Sequence, residues 1–286
     1  MVLASSRHEA DFVIIPSAPQ LNFKLSEIFH RAHDEEIAWD CGDHPAGVYP
    51  GFYSSLRRQL FNPAVHRSFC YPIIYNEQVQ HFDKDDGKQL YSFVGGITSA
   101  LRSRLVAKLA NHPLHLRGII KVQSGSWGAV FDRSGVAIKR EFAESLRNAR
   151  FILCPRGNGV GTIRLFEAMQ AGRVPVIISD DYVLPNGVDW KSCAIVVRES
   201  EAGKIPEILA ARESDWETMA ALARRSWEQH FSQASLLTEM ALHLVAMGSA
   251  VQMGARVHTA ALLAMWTKYK AKSLLRVLQR RRPPAD

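Results

Sequence analysis

The fold is decided by the stretch FILCPRGNGVGTIRLFEAMQAGRVPVIISDDYVLP, which runs from residue 151 to residue 185. It opens with four apolar residues, a short run typical of a strand buried on both faces of a parallel sheet. Pro155 ends this strand. Gly157, Gly159 and Gly161 follow at alternate positions, where they permit a sharp turn and a close approach to a ligand. A helix is predicted from Thr162, and a second buried strand follows it.

The start of this helix is predicted to bind an anion, because its free N–H groups and positive dipole end lie beside the glycine loop. Helical spacing places Arg164 and Glu167 together on the side opposite the apolar residues. Arg164 and Arg156, which flanks the loop, suit a diphosphate, and the Glu167 carboxylate suits ribose hydroxyls. The spacing alone leaves an alternative, in which Arg164 and Glu167 form an ion pair on a solvated face.

Strand and helix patterns alternate along the rest of the chain, which predicts an α/β protein with parallel sheets and covering helices. Apolar runs predict further strands at residues 11–15, 36–41, 69–75, 91–94, 118–123 and 194–198. Further helices are predicted at residues 22–33, 98–109, 206–211, 214–231 and across 235–265, with a capping box at residues 214–217. The charged stretch 81–88 is the predicted linker. We therefore expect two units, 1–88 and 89–231, followed by helices and a basic tail over 232–286.

A second glycine turn precedes a helix in the predicted second unit. Gly95 and Gly96 end a strand and stand just before the helix expected at 98–109, which repeats the arrangement of the central loop. Arg102 in that helix is therefore a second candidate phosphate ligand, whereas Arg104 is assigned to the solvated face.

Several of these segments resemble the exostosin family of glycosyltransferases. The segments CPRG, RLFEAMQAG and VPVIISDDYVLP, within residues 154–185, are similar to the nucleotide-sugar half of that family. ADFVIIP at 10–16 and YSFVGG at 91–96, followed by Arg102, resemble earlier blocks. The resemblance implies a GT-B-like fold, in which two Rossmann-like units face a cleft, here with a C-terminal helical extension. The first unit, residues 1–88, is short for this family.

The resemblance also implies an inverting GT47-like glycosyltransferase that uses a nucleotide-sugar donor, with UDP favoured over GDP, and a glycan or lipid-linked glycan acceptor. The predicted donor-binding residues are Gly95, Gly96, Arg102, Arg156, Gly157, Gly159, Gly161, Thr162, Arg164 and Glu167. No metal or other cofactor is expected, because arginines and a helix dipole can stabilise the charge on the departing nucleotide.

Inversion requires a base on the acceptor oxygen, and the first unit is expected to supply it. Residues 39–53, WDCGDHPAGVYPGFY, read as a loop by composition and carry Asp40, Asp43 and His44. Asp43 is the favoured catalytic base, with His44 or Asp40 as alternatives. Asp43 capping a turn is the plainer interpretation of the same residues.

Three other functions are weighed against the pattern. A dinucleotide-binding enzyme would use the three alternating glycines and Asp180, but its third fingerprint glycine is replaced by Thr162 or Arg164. A P-loop enzyme would need a Gly-Lys-Ser/Thr ending, which the loop in this sequence lacks. A non-catalytic nucleotide or glycan binder remains open, and donor hydrolysis distinguishes it from a transferase.

Composition and charge are those of a globular protein with a basic tail. The chain is 47% hydrophobic and 22% charged with a net charge of +7, of which residues 268–286 carry +6. The tail is predicted to rest on anionic lipid, with a solvated tail as the alternative and nucleic-acid binding not expected. Well-spaced cysteines, no long apolar run and no apolar leader segment predict a cytoplasmic protein with reduced thiols.

Overall fold

The computed structural model describes residues 13–17, 36–43, 50–71, 76–123 and 135–248. Within these residues the strands form two parallel sheets, one of four strands and one of five. Helices follow most strands of the second sheet and cover its faces. This arrangement confirms the predicted α/β class with two parallel-sheet units, the GT-B-like architecture.

The first sheet contains β1 (Val13–Ser17), β2 (Glu36–Asp40), β3 (Gly51–Tyr53) and β4 (His66–Ser68), in that spatial order. Two predictions are wrong here. The expected loop 39–53 ends in β3, because Phe52 and Tyr53 are buried between neighbouring strands. Of the strand expected at 69–75, residues 69–71 are not in a strand and residues 72–75 lie outside the described residues; the strand observed just before them is β4, where His66 pairs with Gly51. The helix predicted at 22–33 lies outside the described residues.

The second sheet contains β5 (Gln89–Gly95), β6 (Gly118–Val122), β7 (Ala149–Pro155), β8 (Val174–Ile178) and β9 (Ile195–Val196). Its spatial order is β6-β5-β7-β8-β9, and all its pairings are parallel. Nearly every residue of β5, β7 and β8 is buried, which accounts for their continuous apolar character. The central stretch therefore forms the middle of this sheet, as predicted.

The helices are α1 (Ala100–Ala110), α2 (Gly135–Asn148), α3 (Ile163–Gln170), α4 (Trp190–Cys193), α5 (Ile205–Ala210), α6 (Trp216–His230) and α7 (Leu236–Met247). The sequence did not predict α2. The predicted capping box is wrong: Asp215 is the N-cap of α6 and makes no side-chain cap bond, because a 3-10 turn at Glu213–Asp215 leads into the helix. The helix predicted over 235–265 ends, within the described residues, at Met247 and Gly248.

One hydrophobic cluster joins the two sheets. It includes Phe52 and Phe69 from the first sheet and Ile152 and Phe166 from the second unit. The ring of His243 on α7 packs 6.3 Å from Phe52 and 5.9 Å from Phe69, so the C-terminal helix contacts the first sheet. The cysteines predicted to be buried, Cys70 and Cys154, are buried free thiols. Met240 and Met247 fill the core, as expected.

The predicted linker, residues 81–88, is bonded to the second unit. The Phe82 N–H donates to the Ala171 carbonyl at 3.2 Å, and Arg173 Nη2 donates to the Asp83 carbonyl at 2.7 Å. A 3-10 turn occupies Lys84–Asp86. The division of the chain at residue 88 stays a prediction.

A short backbone pairing connects the first unit to the end of β8. Arg58 N–H donates to Asp181 O at 3.0 Å, and Val183 N–H donates to Leu56 O at 3.0 Å. Arg57 and Asp181 add an ion pair at 3.4 Å. These contacts hold the first unit against the carboxyl edge of the second sheet.

Candidate functional site

The second sheet has a switch point between β5 and β7. The chain passes from β5 to its neighbour β6 on one side, and later returns to β7 on the other. In open parallel sheets, ligands bind in the crevice outside the carboxyl ends of the strands at such a point. Gly95 and Gly96 stand at the end of β5 and Arg156 directly follows β7, so the fold brings the two predicted donor loops together.

The glycine loop after β7 packs closely against the first unit. A Cβ on Gly161 would lie 2.1 Å from the Ser54 carbonyl oxygen, and one on Gly159 would lie 2.4 Å from Ser55 Oγ. Ser55 Oγ accepts a hydrogen bond from the Gly161 N–H at 3.1 Å and donates one to the Asp43 carbonyl at 3.2 Å. Only glycine fits this approach, so Gly159 and Gly161 bring the two units together.

Thr162, at the N-cap of α3, makes no side-chain cap bond. The amides of this first turn are therefore not bonded by that side chain. The contacts made by Ser54 and Ser55 were not predicted, because two serines after a short strand give no distinctive sequence signal.

Arg102 joins the two loops across the switch point. Its Nε donates to the carbonyls of Pro155 and Arg156 at 3.3 and 3.2 Å, and Nη1 donates to Gly96 O at 3.1 Å. Nη2 also donates to Pro155 O, at 3.1 Å. Burial, together with the nearby charge of Arg164, lowers the pKa of Arg102 to about 9. Arg102 thus lies at the predicted loops, but each of its guanidinium nitrogens already donates a hydrogen bond to a backbone carbonyl. A Cβ on Gly157 would lie 3.3 Å from Arg102 Nη2.

Arg164 lies in the first turn of α3 with its side chain buried, and not on a solvated face. Its guanidinium lies over the rings of Phe93 and Phe142, with Cζ 5.0 and 5.5 Å from the ring centroids. Nη2 donates to Val94 O at 2.8 Å, and a Cβ on Gly95 would lie 2.3 Å from this nitrogen. Nε and Nη1 are buried and have no hydrogen-bond partner among the described residues.

Arg173 shows how this fold satisfies a buried arginine that has a structural role. All its donors reach backbone carbonyls, those of Phe82, Asp83, Leu146, Arg147 and Gly172. Buried polar groups in proteins are nearly always paired, and an exception calls for an explanation such as an unseen ion. Two unpaired N–H groups at a helix N-terminus distinguish Arg164 from Arg173.

Glu167 lies one turn after Arg164 and is half-buried. Burial raises the pKa of its carboxyl to about 7, an effect opposed by the positive charge of Arg164. Its carboxylate has no hydrogen bond within the described part of the chain. The oxygens of the Glu167 carboxylate can therefore accept hydrogen bonds from a ligand that lies next to Arg164.

Arg156 is ion-paired. Its Nε and Nη2 donate to the two carboxylate oxygens of Glu199 at 2.6 and 3.0 Å. Glu199 also accepts from the Asp180 N–H at 3.4 Å, and Asp180 Oδ1 accepts from the Glu199 N–H at 3.0 Å. Glu199 was not predicted as a site residue, because it lies 43 residues after Arg156 and has no motif of its own.

The first unit places one of its candidate bases near the two loops. Asp43 is exposed, and its charge is among those that raise the pKa of Arg102 against the larger effect of burial. Asp40 accepts a hydrogen bond from the Gly42 N–H at 2.8 Å, as in a turn. His44 lies outside the described residues. The general-base assignment stays a prediction.

Comparison with known families identifies the region that holds these features. Residues 71–211 match the family model described as the Exostosin GT47 domain. The chain carries an exostosin GT47 domain. The family resemblance noted from the sequence is therefore confirmed.

Relatives of this exostosin GT47 domain are long proteins. The Exostosin-1 homolog of Caenorhabditis elegans is 48% identical over 71 residues, which cover 24% of this chain and 19% of that protein. Exostosin-1 of Drosophila melanogaster is 36% identical over 96 residues, which cover 32% of this chain and 12% of that protein. The chain thus matches less than a fifth of the length of either relative.

Among solved structures, Anabaena Alr3699/HepE in complex with UDP and glucose aligns with 82% of this chain and 63% of its own, at 12% identity and a TM-score of 0.39.

The exostosin GT47 domain contains every predicted donor-binding residue as well as Glu199, whereas Asp43, Ser54 and Ser55 precede it. Across the described residues, no group of three or more His, Cys, Asp or Glu side chains is arranged to hold a metal ion. A search of the same residues found no helix with the length and hydrophobicity needed to cross a membrane.

Proposed function

We propose that this chain transfers a sugar from a nucleoside diphosphate sugar, favouring a UDP-sugar, to a hydroxyl of a glycan or lipid-linked glycan. The exostosin GT47 domain supports the class of reaction. The observation that carries the site assignment is the pair of buried, unpartnered N–H groups of Arg164 at the N-terminus of α3. Charge-assisted hydrogen bonds to phosphate oxygens would satisfy both groups.

The chemistry follows from where charge develops. When the bond between the anomeric carbon and the donor phosphate breaks, negative charge collects on the departing nucleoside diphosphate. Fixed positive groups at that position lower the barrier, and they act more strongly where water is excluded. We assign this role to Arg164 and the first amides of α3. We assign the Glu167 carboxylate to the ribose, whose hydroxyls would donate hydrogen bonds to it. This assignment requires no metal or other cofactor.

Inversion at the anomeric carbon is part of the proposal and requires a base across the crevice from the donor. Asp43 has the exposure and the position for this role, because it lies on the first unit beside the glycine loop. An acceptor hydroxyl entering from that side would lose its proton to Asp43 as its oxygen attacks the sugar.

The test is a transfer assay with a panel of UDP- and GDP-sugars, read as nucleoside diphosphate release with and without glycan acceptors. Asp43→Asn should lower turnover about 10²–10⁴-fold, the usual contribution of a general base, while the affinity for UDP is unchanged. Asp189→Asn, an exposed aspartate before α4, is the control and should retain full turnover. If the chain binds UDP but releases no nucleoside diphosphate from any donor sugar, it is a non-catalytic binder and the proposal of catalysis is wrong.

A cytoplasmic location and a peripheral contact with anionic membrane through residues 268–286 complete the proposal. The positive charge of this tail supports the contact, which would bring the domain to a lipid-linked acceptor. The tail lies outside the described residues. Liposome flotation of the chain with and without residues 268–286 tests this contact, and equal flotation would contradict it.

A further inference from the structure

The ion pair between Arg156 and Glu199 is fixed on both sides. Arg156 directly follows β7. The carboxylate of Glu199 accepts two hydrogen bonds from it, from Nε at 2.6 Å and from Nη2 at 3.0 Å. The two side chains are 30% and 18% exposed, which limits how much water weakens their attraction. This two-point geometry is the strong form of an arginine–carboxylate contact.

Glu199 is also held independently of Arg156. Its backbone N–H donates to Asp180 Oδ1 at 3.0 Å, and its carboxylate accepts from the Asp180 N–H at 3.4 Å. These bonds connect the turn after β9 to the end of β8, beside the switch point. The Glu199 carboxylate therefore stands at this edge as a fixed negative charge. Hydrogen bonds from Arg156 help to keep its pKa low in spite of burial.

Two arginines thus flank the glycine loop in opposite states. Arg164 has unpaired donors and no carboxylate bound to it, whereas Arg156 has its charge neutralised by Glu199. A diphosphate bound at the loop would meet one guanidinium with unpaired donors and one whose donors are occupied. It would also be repelled by the Glu199 carboxylate.

We propose that Glu199 sequesters Arg156 from the donor, so that Arg164 alone serves as the arginine ligand of the diphosphate and Glu199 limits how tightly the nucleotide binds. This inference rests on the proposed function of the same site. As a consequence, the nucleoside diphosphate product dissociates faster, because Arg156 makes no contact with its phosphates.

Calorimetric titrations of the full chain with UDP and with inorganic pyrophosphate test this inference. Glu199→Gln should lower Kd for both ligands about tenfold, since it removes a negative charge and frees Arg156. Glu201→Gln is the matched control, because this exposed glutamate lies two residues away in the same 3-10 segment and carries the same charge change. It should leave Kd unchanged.

A double-mutant cycle shows whether the gain acts through Arg156. Arg156→Ala alone leaves the Glu199 carboxylate unpaired, so it should raise Kd by no more than about fivefold. In the Glu199→Gln background the same change should remove the part of the tenfold gain that Arg156 supplies. The inference is overturned if Glu199→Gln leaves Kd unchanged or raises it, or if Arg156→Ala alone weakens binding as strongly as loss of Arg164. Failure of the proposed function looks different: the unaltered chain would bind neither UDP nor pyrophosphate. Thermal unfolding of each variant without ligand separates these effects from loss of the fold.

Discussion

At the scale of single residues, hydrogen-bond satisfaction separates Arg164 from the other buried arginines. Arg173 and Arg102 direct their donors to backbone carbonyls, whereas Arg164 leaves Nε and Nη1 unpaired. Helical spacing predicted the position of Arg164 beside the glycine loop. It could not predict burial of the side chain, which depends on Phe93 and Phe142 in distant parts of the sequence.

The raised pKa of Glu167 makes stability depend on pH. Burial raises this pKa from 4.5 to about 7, so the folded protein holds a proton there that the unfolded chain has released between those pH values. Stability from this group is therefore fully present below about pH 4.5 and is lost as pH rises to about 7. Glu167→Gln removes the penalty and should stabilise the protein by about 1–3 kcal/mol more at pH 8 than at pH 5. Urea unfolding at both pH values measures this difference.

Glu144→Gln, at an exposed position on α2, is the control that matches the change in charge. The difference between the two pH values should be larger for Glu167→Gln than for this control. An equal effect of Glu167→Gln at pH 5 and pH 8 would show that the carboxyl titrates as it does in the unfolded chain.

At the scale of elements, the sequence predicted those strands and helices whose signals are local. The strands β5, β7 and β8 are continuous apolar runs, and α3 begins directly after a glycine turn, so their positions agree with prediction to within a few residues. By contrast, β3 has only three residues and depends on pairing with β2 and β4. The capping box failed because Ser214 Oγ donates to Asp215 Oδ1 and Glu217 instead accepts from Lys84 Nζ.

The glycine loop gives a prediction about an element. Gly161→Ala would place a Cβ 2.1 Å from the Ser54 carbonyl oxygen, so the loop or the first unit must move. We expect a loss of about 1–3 kcal/mol in the free energy of unfolding, typical of overpacking at a tight contact. Gly96→Ala is the matched control, because its nearest contacts are at 3.8 Å, which is ordinary packing. Thermal melts of equal midpoint for Gly161→Ala and the unaltered chain would contradict the described contact.

At the scale of the whole molecule, the candidate site is composite. The donor loops come from the exostosin GT47 domain, while Asp43 and Ser55 lie in loops of the first unit, before that domain. The sequence suggested two facing units through its family resemblance. It could not show the pairing of residues 56–58 with 181–183, the return of α7 to the first sheet, or the ion pair of Arg156 with Glu199, because these contacts join residues far apart in the chain.

The unpaired donors of Arg164 are proposed to bind the diphosphate of a nucleotide sugar. Calorimetric titration with UDP, comparing the unaltered chain with Arg164→Ala and with Arg225→Ala, tests this proposal most directly. Arg225 is exposed on α6 and matches the change in net charge, and circular dichroism confirms that each variant is folded. Arg164→Ala should raise Kd for UDP about 30–150-fold, the loss expected for a charge-assisted phosphate contact of roughly 2–3 kcal/mol, while Arg225→Ala keeps the original Kd. A folded Arg164→Ala variant that binds UDP as tightly as the unaltered chain would contradict the account.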